Sequence, residues 1–301
     1  MRTLFGMLAI IIAASLYGVL NAVVKLAYKD GLSFEQVTYS QYIYGVLGLL
    51  FVVIVSRSFR KLTVKATLRL CLIGVIGLGG TSLFLYASLN RIPASMALVL
   101  LFQFTWISLV IEKWFLKKDI SLKQVAAAVI ILAGTLCVLH LQSLQLSGQT
   151  FIGMALGFGA AICYSIFLIG SSVLPKELPP FFQSFIMVFV NVIFLSLFFS
   201  PSMGGGSLNP FSGIWKWGLL LGVMGQFLPP LLITYGAPIV GGTMTSILGS
   251  VELPVGVLFS GFFLNEPITA LQWFGIVLIL AGICLTQIPI KRSLPKGEIL
   301  R

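Results

Sequence analysis

The sequence predicts an all-α integral membrane protein of ten transmembrane helices, arranged as two inverted five-helix repeats. Three observations predict this fold class: the composition, the spacing of the apolar segments and an internal repeat. Of the 301 residues, 58% are hydrophobic and only 9% are charged. A soluble globular domain could not bury that share of apolar side chains. The chain is therefore expected to lie in a lipid bilayer.

Apolar segments of membrane-spanning length account for nearly the whole chain. A helix needs about 20 residues to cross a hydrocarbon core of about 30 Å. Ten such segments can be placed, at residues 4–27, 34–56, 67–89, 93–115, 121–141, 149–174, 180–200, 213–235, 241–264 and 268–289. The residues between them are too few to form a soluble domain.

The basic residues predict how the chain is oriented. With the N-terminus inside, fifteen of the 19 Lys and Arg residues fall on the cytoplasmic side, and four (Lys25, Lys29, Arg91 and Lys216) fall outside. Cytoplasmic loops are enriched in Lys and Arg, so both termini are expected in the cytoplasm and the protein in the cell membrane. Anchoring beside anionic headgroups also explains the net charge of +11 without nucleic acid as a partner.

An internal repeat divides the chain into two units, residues 1–145 and 146–301. An offset of 147 residues gives eight identities over 31 gapless positions, including Tyr17 with Tyr164, and an offset of 148 aligns later helices. Because each unit has five helices, an odd number, the second unit must be inverted relative to the first. Inverted repeats of this kind are typical of secondary transporters, which bind substrate near the midplane where the repeats meet.

Helix-breaking residues occupy matching positions in the two repeats. Gly79 and Gly80 lie in the third span, and Pro229 and Pro230 lie at the equivalent position of the eighth. Gly-rich helices often reflect only close packing. The matched position and the double proline nevertheless favour hinges beside a substrate cavity.

Glu252 is the main candidate for a functional residue. It lies near the middle of the ninth span, where an unpaired charge costs about 2.5 to 3.5 kcal/mol on insertion scales. Pro254 removes a backbone donor and clashes one turn back, which predicts a further hinge and free carbonyls near the carboxylate. Gln103 lies at the matching depth of the fourth span. Both side chains are therefore predicted to face a substrate cavity.

Further polar and aromatic side chains are predicted to line that cavity. Tyr17, Asn21 and Lys25 recur at helical spacing and form one stripe on the first span. The other candidates are Tyr86, Trp106, Tyr164 and Tyr235. Structural alternatives stay open, because Gln103 could bridge helices, Trp106 could be core and Lys25 could extend to the outer interface.

Neither a metal site nor a cofactor is expected. The four cysteines fall inside predicted spans without paired spacing, and the single histidine, His140, lies at the end of a span. The sequence also lacks the Gly-rich Lys-Ser/Thr loop of proteins that bind ATP phosphates. Transport would then be driven by an ion gradient or by the gradient of the substrate itself.

One segment of the second repeat resembles a known family. The run Leu264-Asn265-Glu266-Pro267-Ile268-Thr269, with Gln272 and Gly275 after it, resembles the end of an EamA repeat, in the drug/metabolite transporter superfamily. The first repeat departs from the pattern, with Lys118 where the second has Glu266. The resemblance implies a central cavity, with the fifth and tenth helices packed to the side. It also implies export of a small organic metabolite such as an amino acid. Glu266 is interpreted as a helix cap.

These observations predict a secondary transporter that works by alternating access, with proton coupling through Glu252. The alternative is a facilitative uniporter, an exchanger or a drug-efflux protein in which Glu252 binds a substrate ammonium. An intramembrane enzyme would need convergent titratable groups, which are not seen, and a channel would need rings of charge or filter carbonyls. The expected partners are a small-molecule substrate and the bilayer, and both a monomer and a homodimer are compatible with the sequence.

Overall fold

The fold was analysed in a computed structural model that describes residues 1–89, 91–92, 94–138, 148–175, 177–199, 215–264 and 269–287. These residues form helices and connecting turns, and no strand occurs among them. His140 and the family segment from Asn265 to Ile268 lie outside this part of the chain. Asn21 and Lys25 lie on the first helix, but their side chains are also outside what the structure describes.

The first half contains seven α-helices and one π-helical segment within the described residues. They are α1 (Arg2–Lys29), α2 (Phe34–Val55), α3 (Val64–Leu72), π1 (Ile73–Gly79), α4 (Gly80–Leu89), α5 (Ala94–Leu101), α6 (Phe104–Phe115) and α7 (Leu122–Val138). Helix α2 begins with a capping box, in which Ser33 and Gln36 satisfy each other's backbone N–H groups. This cap fixes the start of the second span at Phe34.

The second half repeats this order. Its elements are α8 (Gly148–Ser172), α9 (Pro180–Phe199), α10 (Trp215–Leu221), π2 (Gly222–Phe227), α11 (Leu228–Val240), α12 (Gly242–Gly249), α13 (Glu252–Leu264) and α14 (Ala270–Gln287). Across the described residues, seven helical segments are long and apolar enough to cross a membrane. The apolar parts of α7 and α14 are shorter, and the predicted fourth span is divided between α5 and α6.

The two halves interlock rather than forming separate bundles. Helix α1 of the first half packs on α11 and α13 of the second, and α8 of the second half packs on π1 and α4 of the first. The last helices of the halves, α7 and α14, pack against each other. A methyl group added at Gly134 of α7 would lie 2.8 Å from the carbonyl oxygen of Gly275 on α14, so these two backbones are in close contact.

Each half contains a π-helical segment in its third predicted span. The segments π1 and π2 match within one residue at the repeat offset, and each lies at a pair of residues predicted as a hinge. Gly79 ends π1 and Gly80 begins α4, while Pro229 and Pro230 lie at the start of α11. The two prolines have no N–H to donate to the carbonyls of Gly225 and Gln226, and the π-helical turn of π2 accommodates this loss. The chain therefore stays helical through both positions.

The fourth and ninth predicted spans are both interrupted, also at matching positions. Phe102 and Gln103 form a turn between α5 and α6, and Ser250 and Val251 form a turn between α12 and α13. The second interruption lies one turn before Pro254, which has no N–H to donate to the Ser250 carbonyl. Pro254 therefore removes one of the backbone hydrogen bonds that would continue the helix through the break beside Glu252.

Candidate functional site

A central cavity of about 60 Å³ lies where the two halves meet. It is lined by four apolar side chains and by hydroxyl, amide and carboxyl groups from both halves. The polar lining residues are Tyr17, Gln41, Thr81, Ser82, Tyr86, Tyr164, Gln226 and Glu252. The helix breaks direct these groups inwards, because Thr81 and Ser82 follow π1, Gln226 lies in π2 and Glu252 is the first residue of α13.

Glu252 is buried, with 6% of its surface exposed, and its carboxylate faces this cavity. Its Oε2 accepts a hydrogen bond of 3.4 Å from the Tyr164 hydroxyl. The position at the start of α13 suits a carboxylate, because the N-terminal end of a helix dipole is positive. Helix α1 passes close by: a methyl group at Gly18 would lie 2.5 Å from the Glu252 carbonyl oxygen. This close approach brings Tyr17, the neighbour of Gly18, to the cavity.

Two tyrosines of the cavity, Tyr17 and Tyr164, contact aromatic rings. Tyr164 forms an aromatic cluster with Phe102, Phe104 and Phe167. The Tyr164 ring contacts Phe104 edge to face, with centroids 4.9 Å apart, and stacks on Phe167 at 6.4 Å. Tyr17 meets Tyr164 edge to face at 6.3 Å. Phe102, Phe104 and Phe167 are fully buried, so the cavity has a solid apolar wall on this side.

Two amide side chains of the site were missed by the sequence analysis. Gln41 of α2 accepts a hydrogen bond of 3.3 Å from the Tyr86 hydroxyl, and Gln226 lies in π2. Both are 2% exposed. Among the described residues, the buried Gln226 Oε1 atom has no hydrogen-bond partner. The sequence does contain a signal for both residues, because a glutamine in an apolar span needs a polar partner. The sequence analysis applied this reasoning to Gln103 alone.

The structure brings together four of the side chains that the sequence singled out, namely Tyr17, Tyr86, Tyr164 and Glu252. Gln103 and Trp106 do not line this cavity. The indole Nε1 of Trp106 donates instead to the Oε1 of Gln103, the residue just before α6, at 2.9 Å. For Asn21 and Lys25, only their place on α1, one and two turns beyond Tyr17, is described.

Tyr235 lies at a different cavity. It is 42% exposed and lines a space of about 550 Å³ near Arg2, Gln183 and Pro238. These residues belong to the ends of helices that the charge distribution predicts to be cytoplasmic. The structure therefore separates Tyr235 from Tyr86, although the two follow the equivalent helix breaks.

No group of three or more His, Cys, Asp or Glu side chains that could hold a metal ion occurs in the described part of the chain. One buried carboxylate, surrounded by hydroxyl and amide groups, is the main chemical feature of the site. Such a site can bind a cation or a hydrogen-bond donor.

Helices broken at matching positions around a polar cavity define a class of protein: multi-pass membrane proteins built like secondary transporters. The family model of the EamA-like transporter family matches twice, at residues 4–140 and 151–288, and the chain belongs to this family. It is thus a membrane transporter of the drug/metabolite type with two repeats, and not a member of an enzyme family.

The comparison with solved structures agrees in fold. One crystal structure of a protein superposes with a TM-score of 0.78 over 95% of this chain and 98% of that chain, at 15% sequence identity. At that identity the likeness concerns the fold alone. No curated protein matches the chain.

Proposed function

We propose that the protein is a secondary transporter that moves a small organic metabolite, an amino acid or a related compound, out of the cell by alternating access. The proposal includes ten spans in two inverted repeats, with both termini in the cytoplasm. The observation that supports it most directly is the buried Glu252 at a helix break, facing a cavity that both halves line. Substrate sites in such folds lie beside discontinuous helices of this kind.

The chemistry of the cavity favours a ligand that donates hydrogen bonds. Its described lining contains one carboxylate and several hydroxyl and amide groups, and no basic side chain occurs among these lining residues. A substrate ammonium or hydroxyl group could therefore bind to Glu252, Gln226 and the tyrosines. An amino-acid substrate would present such an ammonium group.

Glu252 supports two functions that differ in energetics. A carboxyl group in an apolar, low-dielectric site has its charged form disfavoured, so Glu252 could take a proton on one side of the membrane and release it on the other. Alternatively, Glu252 stays charged and pairs with a substrate ammonium, in which case transport is facilitative. We favour proton coupling, because Glu252 is a buried carboxylate at a helix break in a cavity that both halves line.

Glu252→Gln separates these functions, because glutamine keeps the size and hydrogen bonding but does not ionise. A thermal-shift screen of amino acids, carboxylates, nucleosides and cationic drugs first identifies a substrate, since a bound ligand stabilises the folded protein. The radiolabelled substrate is then assayed in proteoliposomes in two ways, as accumulation driven by a pH gradient and as exchange of substrate for substrate. Asp119→Asn, which removes an exposed acid, is the matched control.

We expect Glu252→Gln to lose pH-driven accumulation and to keep exchange. Loss of both would instead assign Glu252 to binding the substrate ammonium. Parental behaviour in both assays would mean that Glu252 is a structural residue, and the proposed role of the cavity would fail.

A further inference from the structure

A second buried carboxylate, Glu112, lies outside the central cavity. It belongs to the last turns of α6 and is 5% exposed. Its Oε1 accepts a hydrogen bond of 2.9 Å from the Lys118 ammonium. Its Oε2 accepts from the backbone N–H of Thr243 at 2.6 Å and also from the Thr243 hydroxyl. We call Glu112, Lys118 and Thr243 the Glu112 cluster.

The Glu112 cluster joins the two halves of the protein. Glu112 and Lys118 belong to the first half, whereas Thr243 is the second residue of α12 in the second half. The first N–H groups of a helix have no partner within the helix, and the positive end of its dipole favours a carboxylate. Glu112 therefore caps α12 from the opposite half. The chain reaches this position through Gly241, whose φ of +88° suits glycine.

The two bonds to Thr243 are the stronger part of the cluster. The Lys118 side chain is 50% exposed, so water screens its ion pair with Glu112. The bonds between Glu112 and Thr243 are buried and have a charged acceptor, which makes them about twice as strong as neutral hydrogen bonds. Separating Glu112 from Thr243 would leave a buried charge without these donors.

Helix α12 connects this cluster to the central cavity. It is eight residues long and ends at the break immediately before Glu252. Its first residue, Gly242, packs tightly on α8, because a methyl group there would lie 2.5 Å from the Ile169 Cδ1. Its last residue, Gly249, faces the ring of Phe104 on α6. Helices α6 and α12 thus contact each other both near the cavity and at the Glu112 cluster.

Buried side chains fill the space between Glu252 and the Glu112 cluster. Along α6, Phe104 and Ser108 are fully buried between the cavity and Glu112, and Ile247 and Leu248 of α12 are buried in the same way. This end of the helices is the one that the charge distribution predicts to be cytoplasmic. In this conformation the cavity is therefore closed towards the predicted cytoplasm.

We propose that the Glu112 cluster holds the two halves together at the predicted cytoplasmic end, and that transport requires Glu112 and Thr243 to separate. The proposal rests on the proposed function, since alternating access needs contacts that exist in one state and not in the other. Lys118, which stands where the second half has Glu266, supplies only the exposed ion pair of the cluster. In the second half the residue equivalent to Glu112 is Ser260, so the sequence does not repeat the cluster at the opposite end.

The test measures access to two reporter cysteines in a background without the four native cysteines. Ser108→Cys, in the closed part of α6, is labelled with a membrane-impermeant maleimide in inside-out vesicles. Ser82→Cys, in the central cavity, is labelled in right-side-out vesicles. Each reporter is combined with Glu112→Ala and, separately, with Thr243→Val, which removes only the hydroxyl. Lys118→Met and Thr243→Ser are the matched controls.

We expect Glu112→Ala and Thr243→Val to speed the labelling of the Ser108 reporter about tenfold, the effect of losing a hydrogen bond to a charged group. Labelling of the Ser82 reporter should fall, because the equilibrium moves from one state to the other. Both controls should behave like the parent, since they keep the bonds between Glu112 and Thr243.

Two results would overturn the proposal. Unchanged labelling of the Ser108 reporter would mean that the cluster does not hold this end closed. Faster labelling of both reporters would mean that the cluster only stabilises the fold. Because labelling needs no substrate, these results are independent of the Glu252→Gln assays, so failure of this proposal can be told from failure of the proposed function.

Discussion

The fourth predicted span is interrupted at Phe102 and Gln103, between α5 and α6. The ninth predicted span is interrupted at Ser250 and Val251, between α12 and α13. The backbone thus breaks at equivalent places, but the side chains at the breaks have different partners. Gln103 accepts a hydrogen bond from Trp106 on its own helix, whereas Glu252 faces the central cavity. The repeat provides a symmetric scaffold, and the ionisable group of the cavity comes from one half.

The two π-helical segments differ in a related way. Gly77 of π1 packs against backbone: a methyl group there would lie 2.9 Å from the Phe167 Cα and 3.0 Å from its nitrogen. Asn191 of α9 also donates a 2.8 Å hydrogen bond to the Gly74 carbonyl. The equivalent glycine of π2, Gly225, instead packs against the end of the Gln41 side chain. At this pair of equivalent glycines, π1 therefore contacts backbone and π2 contacts a side chain.

The largest effect is expected from alanine at these two equivalent glycines. Gly77→Ala forces two backbones apart, and overpacking of this kind typically costs about 1 to 3 kcal/mol. Gly225→Ala should cost less, because the Gln41 side chain can rotate away. Both variants gain the same helix propensity from alanine, so they form a matched pair. The measurement is the thermal unfolding midpoint of the purified proteins.

Gly225→Ala should still alter transport, since Gln41 would lose its hydrogen bond from Tyr86. A Gly225→Ala midpoint that falls as far as that of Gly77→Ala would contradict the difference between π1 and π2. If Gly225→Ala transports at the parental rate, Gln41 does not contribute to the substrate site.

A moderate effect is expected from replacing Pro229 and Pro230 together with alanine. Without the prolines, N–H groups become available to the carbonyls of Gly225 and Gln226, which favours a regular helix over π2. The double variant should fold and transport more slowly, by several-fold, because a regular helix would replace the predicted hinge. Transport at the parental rate would exclude a hinge at π2. The comparison variant in the first half is Gly80→Ala, at the first residue of α4.

The comparison also defines what the sequence could predict. The helical membrane fold and the family are confirmed. Gly79, Pro229 and Pro254, which the sequence predicts as hinges, all lie at a π-helical segment or an interruption, and their role as hinges stays a prediction. These features leave local signals, because glycine and proline change the backbone at their own positions. The predictions of ten spans, of the orientation and of the residues that bind substrate stay predictions.

The remaining features have no local signal. The break at Phe102 and Gln103 contains neither glycine nor proline, and the apolar pattern continues through it. Glu112 lies among basic residues at the end of a predicted span, and its partner Thr243 is 131 positions away. Tyr235 was predicted from its match to Tyr86, but repeat symmetry does not extend to the cavities, and the two residues lie at different ones. Such features depend on packing between the halves, which a single sequence does not display.

The smallest effect is expected from Gln103→Leu. Gln103 is the counterpart of Glu252 by depth, yet it lies outside the lining of the central cavity, and its carbonyl accepts from a partly exposed indole. Leucine keeps the volume and removes the neutral hydrogen bond from Trp106, which is worth about 1 kcal/mol of stability. We therefore expect a slightly lower thermal midpoint and substrate kinetics within about twofold of the parent, a change of less than about 0.5 kcal/mol in the transport barrier.

Trp106→Phe is the matched control, because it breaks the same hydrogen bond from the other side and should give the same small loss of stability. If Gln103→Leu raises the apparent KM tenfold while Trp106→Phe does not, then Gln103 binds substrate in another state of the transport cycle. The first half would in that case supply its own side chain at its own break. The difference between the two breaks, with Glu252 in the substrate cavity and Gln103 outside it, would then hold in one conformation and not throughout the transport cycle.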